Sequence, residues 1–120
     1  EAMMDVENPA FQQTMDGFRE TMQSTHAYAV IRTPGNTRED QIAAGRRWLR
    51  LNLTTTKLGL ALHPVSQCLQ EYPEMAEQYA SAHEMLAKPG ETVQMLGRLG
   101  YGPKTAVTPR WPLETRLLNG

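Results

Sequence analysis
Apolar residues Phe11, Met15, Phe18 and Met22 recur at intervals of three or four, one face of an α-helix. Asn8-Pro9 ahead of them supplies a capping residue and a proline suited to the first helical position. The spacing predicts a helix over Pro9 to Met22, with its Met and Phe stripe in the core. Ala27 to Thr33 is short, β-prone and apolar on both faces, and Pro34-Gly35-Asn36 stops it. This pattern predicts a strand inside a covered sheet. Thr37, with Glu39 and Asp40 in the following turn, caps a long helical pattern that runs to Leu58 or Leu60. Two lines compete along that helix. Gly45, Trp48/Leu49, Asn52, Thr55/Thr56 and Gly59 form a line of mostly small residues that suits close approach of another backbone. Ile42, Arg46, Leu49 and Leu53 form a bulkier one. With little purely polar surface, the helix is expected to be central.

Leu60 to Gln67 is too short and proline-interrupted for a helix, and predicts a brief strand or extended loop. Pro73 opens a third helix, with Met75, Tyr79, Ala82 and Leu86 as its buried face and Lys88-Pro89-Gly90 as its end. Thr92 to Tyr101 alternates with period two, placing Val93, Met95, Leu99 and Tyr101 on one face and Arg98 on the other. Gly102 to Gly120 contains Pro103, Pro109 and Pro112 and predicts an extended arm. Together these elements predict an α+β fold, a mixed sheet packed by helices.

Composition narrows the function classes. At 120 residues, with 40% hydrophobic and 21% charged positions, the chain matches one globular domain at most. A net charge of −1 from 12 basic and 13 acidic residues leaves no basic field for a phosphate backbone, so no nucleic-acid partner is expected. The single cysteine, Cys68, excludes an internal disulfide and a cysteine-based zinc site. No metal site is expected. No apolar run approaches the roughly 20 residues that span a bilayer, so no membrane role is expected. A cytoplasmic location is expected, with an export signal upstream left open.

Several residues invite functional readings that plainer ones outweigh. His63 before Pro64 is more often a structural hydrogen-bonder than a ligand, and Cys68 a small buried hydrophobe. Arg46, Arg47 and Arg50 suit a solvated helix edge. His26, His83 and Glu84 lack metal-pair spacing. In the tail, Trp111 and Leu117-Leu118 favour an arm that crosses a partner, because burying them requires a surface.

Three segments, in order, carry a resemblance. The first is Leu58-Gly59-Leu60 running into Leu62-His63-Pro64-Val65-Ser66-Gln67. The second is Arg98-Leu99-Gly100-Tyr101, and the third Thr108-Pro109-Arg110-Trp111-Pro112-Leu113-Glu114. Over about residues 27 to 116 this ordered set resembles the flavin-dependent nitroreductase superfamily. The resemblance implies an α+β fold that binds FMN at the interface of a homodimer, or between two fused halves of one chain. It also implies hydride transfer from NAD(P)H through flavin to a nitro or quinone acceptor. By motif matching, Pro64, Val65, Ser66 and Gln67 would line the flavin ring, a backbone N–H near Ser66 would approach N5, and Arg110 would meet the phosphate.

The chain departs from the family pattern in three places. Ser66-Gln67 stand where an acidic residue or glycine is usual, and Thr108 stands where a lysine is common. The arginine-serine segment of the family's N-terminal half is absent. Residues 1–120 are therefore expected to form the C-terminal part of such a domain, with 102–120 as its arm. Two other readings stay open: a flavin-binding protein without turnover, and a flavin-free dimerisation fragment.

Overall fold
The computed structural model describes residues 6–104, 106 and 108–117. Helix α1 spans Pro9–Gln23, strand β1 Ala27–Thr33, helix α2 Arg38–Lys57, strand β2 Ala61–Pro64, helix α3 Ala76–Leu86 and strand β3 Thr92–Gly100. Short 3-10 turns at Gln67–Leu69 and Pro73–Met75 join β2 to α3, and a third lies at Leu113–Thr115 in the C-terminal arm. The α+β class holds, but one detail is corrected. The sheet, expected to be mixed, is antiparallel throughout its described strands, in the order β1-β3-β2. The covered-strand expectation for β1 also fails. β1 is an edge strand in which Ile31 and Thr33 are buried while Ala27 and Tyr28 are exposed.

The local signals at the helix starts act as their chemistry requires. Asn8 Oδ1 accepts from the Ala10 N–H at 2.9 Å, ahead of Pro9 in the first turn. Thr37 Oγ1 accepts from the Asp40 N–H at 3.2 Å, and Asp40 Oδ2 accepts from the Thr37 N–H at 3.1 Å, a reciprocal capping box. At the end of α2, Gly59 turns the chain with φ 71°. The Leu60 N–H reaches the Thr55 carbonyl at 2.8 Å and the Gly59 N–H that of Thr56 at 3.1 Å. That is a Schellman motif, whose left-handed position glycine occupies without Cβ strain. Gly59 is therefore a helix stop and not part of a packing line.

Helix α2 lies on one face of the sheet. Its inward residues are Asp40, Ala44, Trp48, Leu51 and Thr55, with Ala44 and Thr55 buried. The close approach expected from a small-residue line on the helix is made instead by a glycine on the sheet. A Cβ on Gly97 of β3 would stand 2.8 Å from Cη2 of Trp48 and 3.0 Å from Cδ1 of Leu62, so only a bare Cα admits the indole there. Nothing lies within 4 Å of a Cβ on Gly45. The bulkier line faces outward, with Ile42 53%, Leu49 60% and Leu53 62% exposed.

Helix α3 and the Gln67–Leu69 turn cover part of the opposite face. Ala82 is buried, and Met75, Tyr79 and Leu86 are half-buried, on the face the spacing predicted. His83 fastens this helix to the sheet. Its Nε2 accepts from the Val93 N–H at 3.0 Å, which places the ring proton on Nδ1, 2.9 Å from the Tyr79 carbonyl. The His83 ring also stacks on Tyr79, with centroids 4.1 Å apart. Burial, and secondarily the Glu71 carboxylate, raise the Tyr79 hydroxyl above its ordinary pKa.

Helix α1 departs from expectation. None of its residues is buried, and Phe18 is 46% exposed, so its stripe is not core. The buried hydrophobic core of the described residues comprises Ile31, Ala44, Ala82 and Val93. In the arm, Trp111 is 73% exposed and its ring carries the Arg116 guanidinium at 4.5 Å. Leu118, read as part of the arm's apolar end, lies outside the described residues.

Candidate functional site
Strand β2 ends at Pro64, an edge position where a missing N–H costs no ladder bond. The pairing runs one residue further, because the Val65 N–H donates to the Leu96 carbonyl at 2.9 Å. Ser66 then heads the Gln67–Leu69 turn, its carbonyl accepting from the Leu69 N–H at 3.0 Å. The Ser66 N–H itself has no acceptor among the described residues. Pro64 and Gln67 are exposed, and Val65 and Ser66 half-buried. The four loop residues are thus contiguous at one rim of the sheet. Arg110 is exposed in the arm, and no hydrogen bond or ion pair joins it to this loop among the described residues.

Beside the loop, a cleft of about 570 Å3 opens between the sheet and α3. Val65, Cys68, Leu96, Tyr28, Met22 and Met85 form most of its apolar wall, and Glu77, Gln78 and Ser81 edge it. This volume falls within the roughly 300–1000 Å3 of small-molecule sites. Tyr28 is held in place by its hydroxyl, which donates to the Met22 carbonyl at 3.1 Å. Half-buried Cys68 is part of this wall, in keeping with its reading as a small hydrophobe. Sequence reasoning singled out Val65 here but not Tyr28, Met22 or Met85. They come from three different elements, and no local spacing could have joined them.

A second groove, of about 1130 Å3, runs along the end of the sheet between the start of β1, β2 and the segment after β3. His63 and Arg98 face each other across the β2–β3 register, and Tyr28 occupies the matching position on β1. The Arg98 Nε–H donates to His63 Nδ1 at 3.2 Å. His63 is therefore a hydrogen-bonding partner, and its proton sits on Nε2. Of the three arginines on α2, Arg47 donates to the Arg32 carbonyl at 3.0 Å, while Arg46 and Arg50 are exposed. Among the described residues, no group of three or more His, Cys, Asp or Glu could hold a metal ion, and no helix is long and apolar enough to cross a membrane.

No model of a known protein family matches this chain, and no curated protein matches it. Among solved structures it is similar to the nitroreductase-like family protein from Bacillus cereus, with a TM-score of 0.61 and 18% sequence identity. The likeness covers 99% of this chain and 65% of that one. This chain therefore has a nitroreductase-like fold, over a segment that spans 65% of the length of that structure.

Proposed function
We propose that this chain is the C-terminal part of a nitroreductase-like oxidoreductase that carries FMN and passes hydride from NAD(P)H to a nitro compound or a quinone. The observation that carries this reading is the nitroreductase-like fold extending over 99% of the chain. The residues present suit a flavin. An apolar cleft lies beside the Pro64–Gln67 loop, and the loop offers two backbone donors without an acceptor among the described residues, the Ser66 and Gln67 N–H. Pro64 and Val65 would bound the ring, the Ser66 N–H would hold a ring nitrogen, and Gln67 would meet its edge. The Arg110 guanidinium, free of any ion pair among the described residues, would clamp the phosphate with its planar fork. When bound, FMN supplies the hydride chemistry, and the protein supplies position and exclusion of water.

The same reading includes a second copy of the chain. Apolar side chains left exposed on α1 and α2, such as Phe18, Ile42, Leu49 and Leu53, are surface that a second copy would cover. The outward stripe Ile42, Leu49 and Leu53 of α2 is the surface offered for it.

Two measurements test the proposal. FMN added to the purified chain, followed by removal of the excess, should leave a retained flavin absorbance band, and Arg110→Ala should weaken retention about tenfold or more. Flavin loss as complete as from a control protein would favour the reading of a flavin-free dimerisation fragment over a chain that holds FMN by itself. Steady-state NAD(P)H oxidation with nitroaromatics and quinones then separates an oxidoreductase from a flavin binder without turnover. That second reading is favoured by the Ser66-Gln67 departure, and robust turnover in a flavin-loaded chain would exclude it.

A further inference from the structure
The Arg98–His63 pair has chemistry that the flavin reading leaves unused. A guanidinium carries five N–H donors and no acceptor. In Arg98, the Nε–H is taken by His63 Nδ1, and the remaining four have no protein acceptor among the described residues. By accepting at Nδ1, His63 keeps its own proton on Nε2, so the pair presents donors only. The groove they line contains no Asp or Glu, and His26, Ser24 and Thr25 add further polar groups at its β1 end. Half-buried Arg98 lies on the central strand, fixed between β1 and β2 by the register Tyr28↔Arg98 and His63↔Arg98. A cation without a carboxylate partner, in a concave site, with a neighbouring imidazole donor, is the arrangement that recognises an oxyanion. Leu60 and the ring of Tyr101, 89% exposed, also line this groove.

We infer that the Arg98–His63 pair is a binding site for the oxyanion end of a small molecule, a carboxylate or a phosphate, with the body of the ligand lying along the Leu60–Tyr101 walls. The site lies in a different groove from the apolar cleft beside Val65, and its existence does not depend on flavin being bound. An anionic acceptor substrate and a phosphate ester share this chemistry, and their carbon skeletons tell them apart.

Proton NMR of the flavin-free full chain tests this directly, since three histidines give three resolvable imidazole signals and His63→Gln assigns one of them. The probes are 4-nitrobenzoate, inorganic phosphate and uncharged nitrobenzene. The expected result is a saturable shift of the His63 signal with at least one anion and none with nitrobenzene. The His83 signal should stay in place, because both its ring nitrogens are engaged between α3 and β3. Arg98→Gln should weaken that binding at least tenfold, and Arg98→Lys, which keeps the charge but not the fork, should weaken it less. Equal saturation by phosphate and 4-nitrobenzoate identifies recognition of the anion alone. Tenfold tighter binding of 4-nitrobenzoate identifies an aromatic acid held by the walls as well. The inference is overturned if neither anion moves the His63 signal, or if nitrobenzene moves it as well as 4-nitrobenzoate does. Unchanged affinity in Arg98→Gln or in the milder Arg98→Lys would overturn it too. Flavin retention is read separately by absorbance, so failure here leaves the FMN proposal standing, and failure there leaves this one.

Discussion
The two sides of helix α2 are built to opposite rules. Its inner side carries Ala44, Trp48 and Thr55 against a strand that gives up a side chain at Gly97 to admit the indole. Its outer side carries Ile42, Leu49 and Leu53, each more than half exposed. Isolated apolar residues on a surface are ordinary, but three on one helical line at spacings of seven and four form a continuous stripe. The inner side is specified by shape, through a contact that tolerates no extra atom. The outer side is specified only by hydrophobicity, which suits a surface whose partner is another molecule. One helix thus joins the folding of this chain to the association proposed for it.

That contrast can be broken from either side. Charging the outer stripe, Leu49→Glu with Leu53→Glu, should have the largest effect. A buried leucine contributes about 1.5–3 kcal/mol, and each copy would lose two. Sedimentation should show the dissociation constant of the dimer rising by more than about 100-fold, while far-UV circular dichroism of the monomer stays unchanged. On the inner side, Gly97→Ala should cost about 1–3 kcal/mol by overpacking against Trp48, read from the midpoint of urea unfolding. If Gly97→Ala leaves stability intact, the sheet does not depend on that close approach. Thr37→Ala should act on both sides alike. It removes one half of the capping box and should cost about 1 kcal/mol of stability, with association weakened only as far as the helix itself frays. The high-pH limb offers a smaller effect on the other face of the sheet. Tyr79 holds its proton more tightly folded than unfolded, so its contribution is fully present below the ordinary tyrosine pKa and is lost as pH rises above it. Tyr79→Phe should flatten that part of the stability profile in a pH series of urea melts.

What the sequence disclosed follows the range of the interaction. Asn8-Pro9, Thr37 with Asp40, and the alternation of Thr92 to Tyr101 are read within a few residues, and they mark α1, α2 and β3 to within a residue or two. The buried face of α3 was legible for the same reason, since Tyr79, Ala82 and Leu86 repeat at helical spacing, although the helix expected from Pro73 begins at Ala76, after a 3-10 turn that holds Met75. The inward line of α2 was legible only in part. Trp48 and Thr55 lay on the small-residue line, but Ala44 and Leu51 did not, and Trp48 is admitted by an absent side chain on β3, 49 positions away in the chain. The stripe of α1 showed its helix but not its neighbours, and a periodic apolar face does not say whether its partner lies in the same chain. β1 looked like an interior strand because its apolar content fits one, whereas strand order is fixed by pairings that a local window does not contain. Of the candidate site, the Pro64–Gln67 loop could be named from its motif. The cleft beside it could not, since Met22, Tyr28 and Met85 meet only after the sheet and α3 are assembled. His63 was legible as a hydrogen-bonder and Arg98 as a residue on the far face of β3, but their pairing was not, since it is made by a strand register.

The account rests on a flavin held by a nitroreductase-like chain that associates through the outer side of α2. Sedimentation velocity of the chain with FMN, followed at protein and flavin wavelengths together, addresses both parts in one experiment. The account predicts a flavin boundary that moves with a dimer boundary, and a Leu49→Glu, Leu53→Glu variant in which both are lost. A chain that sediments as a monomer while the flavin remains free would contradict it.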